Sequence, residues 1–173
     1  MDPQLKNIHE NILSLALGAL AHANRHACYR EQANRWWPAL SVLQAAHSAE
    51  LIIKARIAQE HPLLIFEEVP KSTKTESKRL DFESLFERGK TVQFFDLPER
   101  LWATTGIKIA DLALYHSFGR LRNALQHFSP DVEEDLSGRS LEFIFGIIDP
   151  LIHDSWGLFA VDYDEDHVEY EYM

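Results

Sequence analysis

Cysteine occurs once in the 173 residues, at position 28. A single thiol excludes an intrachain disulfide, and its small neighbours Ala23 and Ala27 predict an inert, buried side chain rather than a nucleophile. Glycine and proline are also scarce, seven of each, which excludes low-complexity and collagen-like chains and leaves both residues to punctuate element ends. No run approaches the roughly 20 apolar residues of a spanning helix. The opening Met1-Asp2-Pro3 lacks the basic and apolar segments of a signal peptide, so a cytoplasmic protein with no membrane contact is expected. Glycine-rich phosphate loops and Gly-x-Ser-x-Gly turns are absent. Excess positive charge is missing too: the formal net charge is -10. That excludes a broadly basic nucleic-acid surface but leaves room for a small basic cleft.

What is present is ample apolar material, 46% of residues with ten Phe and four Trp, enough for one substantial core in one domain. The acidity is concentrated at the end. Asp162, Asp164, Glu165, Asp166, Glu169 and Glu171 have no Lys or Arg among them, so the other residues carry a net -4. We therefore predict a single helical domain over residues 1–162 followed by an acidic tail over 163–173, frayed or weakly docked.

Along the chain, Asp2-Pro3 predicts a helix start. Leu5, Ile8, Ile12, Leu15, Ala19 and Ala23 keep helical spacing, predicting a first helix to about Asn34 that packs on another subunit as well as on its own core. His22 and His26 have a metal-compatible spacing but no third ligand nearby in sequence, so no metal and no cofactor is expected. Trp36-Trp37-Pro38 starts a second helix that His61-Pro62 ends. It is apolar nearly all round and should be the hub of the core. His47, Glu50 and Lys54 share one side of it, either as a partly exposed ion pair or as one wall of a polar groove. Residues 62–103 predict an apolar cover over the bundle, with a solvated loop at 71–78, a short helix capped by Asp81 and stopped by Gly89, and another begun at Pro98.

Thr104 or Thr105 is expected to cap a third long helix, from about Ile107 to Phe128, closed by Pro130. Ile107, Ala110, Leu114, Phe118, Leu121 and Leu125 give its core stripe. His116, Arg120, Asn123 and His127 recur on another face. After a turn from Ser129 to Gly138, Leu141 to Phe159 predict a last helix kinked at Pro150. The expected architecture is all-α, four principal helices plus short ones.

Near the end of the third long helix, Arg122 offers a planar fork suited to phosphate. Asn123 is four residues before His127 and could orient its imidazole. Cleavage of RNA by its own 2'-hydroxyl needs a proton acceptor, a proton donor and charge stabilisation at phosphorus, without metal. Spacing alone equally fits a helix-end surface pair.

Arg122-Asn123-Ala124-Leu125-Gln126-His127 resembles the Arg-x4-His motif of the HEPN superfamily (higher eukaryotes and prokaryotes nucleotide-binding). The segment Ala45 to Ala55, with Glu50-Leu51-Ile52-Ile53-Lys54, is similar to that family's earlier helix with its Glu-Leu-x-x-Lys pattern, followed by His61-Pro62. Phe143 to Asp162, with Ile148-Asp149-Pro150 and Trp156 to Ala160, looks like the closing helix of some members. The resemblance covers residues 36–162. It implies an HEPN-like bundle that dimerises, with Arg122, His127 and Asn123 catalytic in a composite cleft. Glu50, Lys54, His47, Arg120 and His116 would support that cleft or bind RNA. It implies a metal-independent endoribonuclease of toxin–antitoxin or phage-defence type, with RNA as substrate and an antitoxin protein as partner. The alternative is a noncatalytic HEPN-like module that binds a nucleotide or a protein. One subtype carries a modified Tyr two positions after the His; Ser129 stands there, so the resemblance does not carry that regulation. A homodimer is also expected because one chain supplies only one acid–base group, with Gly119 near the two-fold axis.

Overall fold

The computed structural model describes residues 3–29, 31–71, 80–128 and 135–164. The architecture among them is all-α with one small two-stranded sheet. In order come α1 (Pro3–Lys6), α2 (Ile8–Cys28), α3 (Trp37–Glu60), β1 (Phe66–Glu68), α4 (Phe82–Arg88), β2 (Lys90–Thr91), α5 (Leu97–Thr105), α6 (Leu112–Phe128), α7 (Leu136–Phe143) and α8 (Asp149–Trp156). A π-helical stretch, Ile144–Ile148, joins α7 to α8. Helices α2, α3, α6 and the α7–α8 pair are the four principal ones. None of the described helices is long and apolar enough to cross a membrane.

Helices α2 and α3 form an antiparallel pair with small residues at the seam. Ala16, Ala19, Leu20 and Ala23 of α2, and Val42, Ala45, Ala46 and Ala49 of α3, are all buried. Without longer side chains between them the backbones approach closely. Two buried hydroxyls exploit this: Ser48 Oγ donates to Ala16 O at 2.8 Å and Ser41 Oγ to Ala23 O at 3.2 Å. The serines are seven residues apart and so are their acceptors, in the opposite order, which fixes the helix register.

The first helix is shorter than predicted. Asn7 separates α1 from α2, and Tyr29 turns to extended backbone, so the helix stops at Cys28 instead of about Asn34. It spans about 30 Å. Cys28, expected to be buried, is exposed at this frayed end. The second helix matches its predicted span. Pro38 sits in its first turn, and His61 is extended because Pro62 follows it. The predicted hub role also holds: α3 meets α2, α5, α6 and α7, so its apolar surface is consumed within its own chain.

The cover behaves as its caps suggest. Asp81 accepts from Ser84 N at the start of α4, and Leu85, Val92, Phe94, Leu97 and Leu101 are buried beneath it. β1 and β2 pair antiparallel with a register shift between Phe66 and Glu68. The segment expected to be a solvated loop lies almost wholly outside the described residues. Thr104 and Thr105 do not cap α6. Their hydroxyls donate back to Arg100 O and Leu101 O inside α5, and Gly106 ends that helix at φ 78°. The cap of α6 is Asp111, whose Oδ1 accepts from Leu114 N at 2.9 Å. Ile107 and Ala110 therefore precede the helix instead of continuing its stripe, and Ala110 is exposed.

The last long helix also starts earlier than predicted, at Leu136, because Asp135 accepts from Gly138 N and draws Gly138 into the first turn. The wider π turn lies immediately before Pro150, which has no N–H to contribute and stands in the first turn of α8. Beyond α8 the chain folds back on α2: Asn24 Nδ2 donates to Ala160 O and to Tyr163 O, both at 2.8 Å.

Gly119 is needed within its own chain. A Cβ there would lie 2.7 Å from the Phe94 ring and 2.9 Å from that of Phe95, so these rings occupy the bare backbone face on which a two-fold contact was expected. Phe94 cannot yield, being stacked on buried Tyr115 at 4.4 Å. Gly119→Ala is expected to destabilise the fold by about 1–3 kcal/mol, lowering the melting temperature by roughly 2–4 °C per kcal/mol. Thermal unfolding unchanged within a degree would show that the ring pair can move aside.

Candidate functional site

The inner stripe of α6 runs Tyr115, the adjacent Phe118 and Gly119, Arg122 and Leu125, recurring at three- and four-residue steps. All but Arg122 are buried. Arg122 is thus the cation on a helix face otherwise given to the core, and this is why it meets α3. Its Nη2 lies 3.9 Å from Glu50 Oε2, with 26% of its side chain exposed. Its Nη1 donates to Asn123 Oδ1 at 3.0 Å. Glu50 in turn accepts from Lys54 Nζ at 2.6 Å, and Lys54 Nζ also donates to Thr91 Oγ1 at 3.1 Å. The ammonium of Lys54 is satisfied although the residue is only 8% exposed. A continuous polar chain thus links β2, α3 and α6: Thr91, Lys54, Glu50, Arg122, Asn123.

Glu50 and Lys54 form the partly exposed i,i+4 ion pair, and the second carboxylate oxygen of Glu50 also faces Arg122. Asn123, expected to orient His127, makes its hydrogen bond to Arg122 instead, because adjacent residues at this helix end let the amide reach the guanidinium. His127 is exposed one and a half turns further on, its ring 6.4 Å from that of Phe128, itself 80% exposed. Five residues along a helix place Arg122 and His127 about 140° apart in azimuth and about 7.5 Å apart along the axis. They border one helix end without stacking. His47 is exposed on α3 a turn before Glu50, and Arg120 is exposed on α6; neither joins the polar chain. His116 is half-buried against Phe95, at 5.8 Å between ring centroids, and its Nε2 is enclosed without a hydrogen-bond partner.

Two members of the site were not predicted. Tyr115 lies two turns before Arg122 on the same stripe, a spacing that was available in the sequence. Its hydroxyl donates to Phe94 O at 2.9 Å. Burial, and then the negative charge of Glu50, push its phenol far above the ordinary value, with Arg122 opposing. Thr91 had no signal, since its position depends on the β1–β2 pairing. The strand pair is held at its edge by Lys90 and Glu67 at 2.6 Å; their hydrogen bond raises the lysine pKa and lowers that of the glutamate.

His22 and His26 have ring centroids 6.1 Å apart, and His26 packs edge-on against Trp37. Among the described residues no three His, Cys, Asp or Glu side chains gather to hold a metal. A separate open groove of 490 Å³ lies between α5 and the start of α6, lined by Pro98, Glu99, Trp102, Lys108, Ile109 and Leu112. It is about 15 Å along α6 from Arg122.

Glu50→Gln removes the counter-charge of the nearly buried Lys54 ammonium and leaves it only neutral acceptors, and should cost about 1–3 kcal/mol. Chemical denaturation reads this, and a loss below about 0.5 kcal/mol would contradict it. Because the Tyr115 pKa is raised on folding, the folded chain holds that proton more tightly than the unfolded one. This contribution is complete below about pH 10, where free tyrosine ionises, and is lost as the pH rises above it. Tyrosinate absorbance should show Tyr115 ionising only with alkaline unfolding; its titration in the native state alongside exposed tyrosines would refute this. No protein-family model, curated protein or solved structure matches the chain.

Proposed function

We propose that the chain is a metal-independent, HEPN-like endoribonuclease acting as a homodimer. One observation carries this reading: the guanidinium of the Arg-x4-His sequence is braced by Glu50 and Asn123 while still a quarter exposed, beside an open imidazole on the same helix end. A braced arginine loses little freedom on meeting a phosphate, so its charge is pre-organised for the phosphorane-like transition state.

In this mechanism Arg122 holds the nonbridging oxygens of the scissile phosphate. His127 takes the proton of the 2'-hydroxyl, the 2'-oxygen attacks phosphorus, and the 5'-oxygen leaves with a proton from a second imidazole. The products are a 2',3'-cyclic phosphate and a 5'-hydroxyl. His127 of a second copy would supply the second imidazole, and apposition of the two helix ends would cover the exposed Phe128 ring. Lys54 and Thr91 act through Glu50 as positioning residues. Toxin–antitoxin or phage-defence systems suit such an activity, with an antitoxin protein as the other candidate to cover the same end.

A second reading, a noncatalytic nucleotide- or protein-binding module, is favoured by the Glu50 carboxylate, which partly neutralises the guanidinium that must attract phosphate. Purified protein incubated with RNA in EDTA separates the two. Cyclic-phosphate ends that fall at least a hundredfold with His127→Ala support catalysis. No cleavage of structured or unstructured RNA, with Arg122→Ala altering only binding or melting, would establish the module. Sedimentation at micromolar concentration should give a dimer, and a 20.0 kDa monomer would refute the shared cleft.

A further inference from the structure

The turn between α2 and α3 carries net positive charge. From His22 to Trp37 the sequence carries Arg25, Arg30 and Arg35 against the single acid Glu31, within a protein of net charge -10. The same stretch supplies exposed aromatic rings: Tyr29 is 58% and Trp36 41% exposed. Each ring has a guanidinium on it, Arg25 at 6.0 Å from the Tyr29 centroid and Arg35 at 4.5 Å from that of Trp36. Arg35 forms no ion pair among the described residues, so its charge is not cancelled by a neighbouring carboxylate.

The platform is anchored below. Trp36 N donates to Asn34 Oδ1 at 3.0 Å and Trp36 stands at the start of α3. The next residue, Trp37, packs on His26 of α2 with centroids 4.1 Å apart. Two exposed rings, each already carrying a cation on its surface, stand at this corner of the α2–α3 pair.

We propose that this corner is a binding site for single-stranded RNA, separate from the Arg122–His127 end. An exposed ring accepts any base by stacking, and the Arg35 guanidinium, lying over a ring and without an ion pair, has its N–H edge available for the adjoining phosphate. Charge together with stacking selects the occupant: an anionic strand carrying bases suits a net-positive corner that offers rings, whereas an acidic face of another chain would offer nothing to stack on the rings. Trp36 lies 14 residues before Glu50 on the α3 side, about 20 Å at 1.5 Å per residue. A strand of a few nucleotides bridges that distance, so the corner would hold substrate flanking the cleaved bond. This deepens the ribonuclease reading and rests on it for the choice of RNA.

The test uses a short fluorescent oligouridylate with 2'-O-methyl groups, which cannot be cleaved through the 2'-hydroxyl, so binding is measured apart from catalysis. Wild-type protein should bind it with quenching of tryptophan emission. Trp36→Ala should weaken binding about tenfold and Trp36→Phe should largely restore it, as expected for stacking. Arg35→Ala should reduce the slope of log affinity against log salt by about 0.7, the loss of one phosphate contact to a single strand. Tyr29→Ala, at a ring outside both helices, guards against a folding defect at the start of α3. Affinities of all three alanine variants within twofold of wild type would overturn the proposal. So would binding to vesicles of anionic lipid, or to a polyglutamate-rich protein, without binding to the oligonucleotide. If the oligonucleotide binds at this corner but natural RNA is never cut, the ribonuclease reading fails and this site stands. If RNA is cut with a KM indifferent to Trp36→Ala and Arg35→Ala, the reverse holds.

Discussion

Alanine and serine at the α2–α3 seam set the distance at which these two helices lie, and the remaining elements are arranged on the pair so formed. Close approach brings the Ser41 and Ser48 hydroxyls onto facing backbone carbonyls, and a buried hydroxyl without such an acceptor would cost about 1–3 kcal/mol. The seam is therefore specific as well as apolar: a slide of one residue would orphan both hydroxyls. With α2 on one side, α3 presents its other faces to α5, α6 and α7. The aromatic layer follows, with Phe118 stacked on Phe143 at 3.9 Å and Phe94 on Tyr115.

The polar chain from Thr91 to Asn123 crosses this apolar interior at its edge. Its logic is local neutrality. Lys54 is nearly buried and needs a carboxylate; Glu50 supplies it; the second oxygen of Glu50 then faces Arg122. The helix-end cation is consequently coupled to a strand far away in sequence. A change at Thr91 can be felt at Arg122 without touching it, through Lys54 and Glu50.

Much of the bundle was legible because it rests on periodicity and on breakers. The span of α3 follows from Pro38 and His61-Pro62, and the Asp81 cap was readable from its place before an apolar-periodic segment. The start of α6 was not: Thr104 and Thr105 satisfy a sequence rule for capping, but their hydroxyls are taken by α5, and the less conspicuous Asp111 does the work. Cys28 was misread because its alanine neighbours belong to the helix it terminates, while the residue itself lies at the open end. At the candidate site, the meeting of Glu50, Lys54 and Arg122 was anticipated, whereas the Arg122–Asn123 hydrogen bond and the part played by Thr91 depend on rotamers and strand pairing that spacing does not encode. The placement of Arg122 on the core stripe could have been found by continuing Tyr115, Phe118 and Gly119 one further turn.

The π turn at Ile144–Ile148 has a consequence for how this chain can change length. A turn closed over five residues instead of four carries one residue more than an α-helix, and so rotates everything beyond it by about 100°. That rotation directs Leu151 and Ile152 inward and lets Asp149 Oδ1 receive Ala160 N at 2.6 Å. Deleting a single residue here would regularise the helix while turning those groups away from their partners. In this segment, a gap of one residue is a larger alteration than most substitutions.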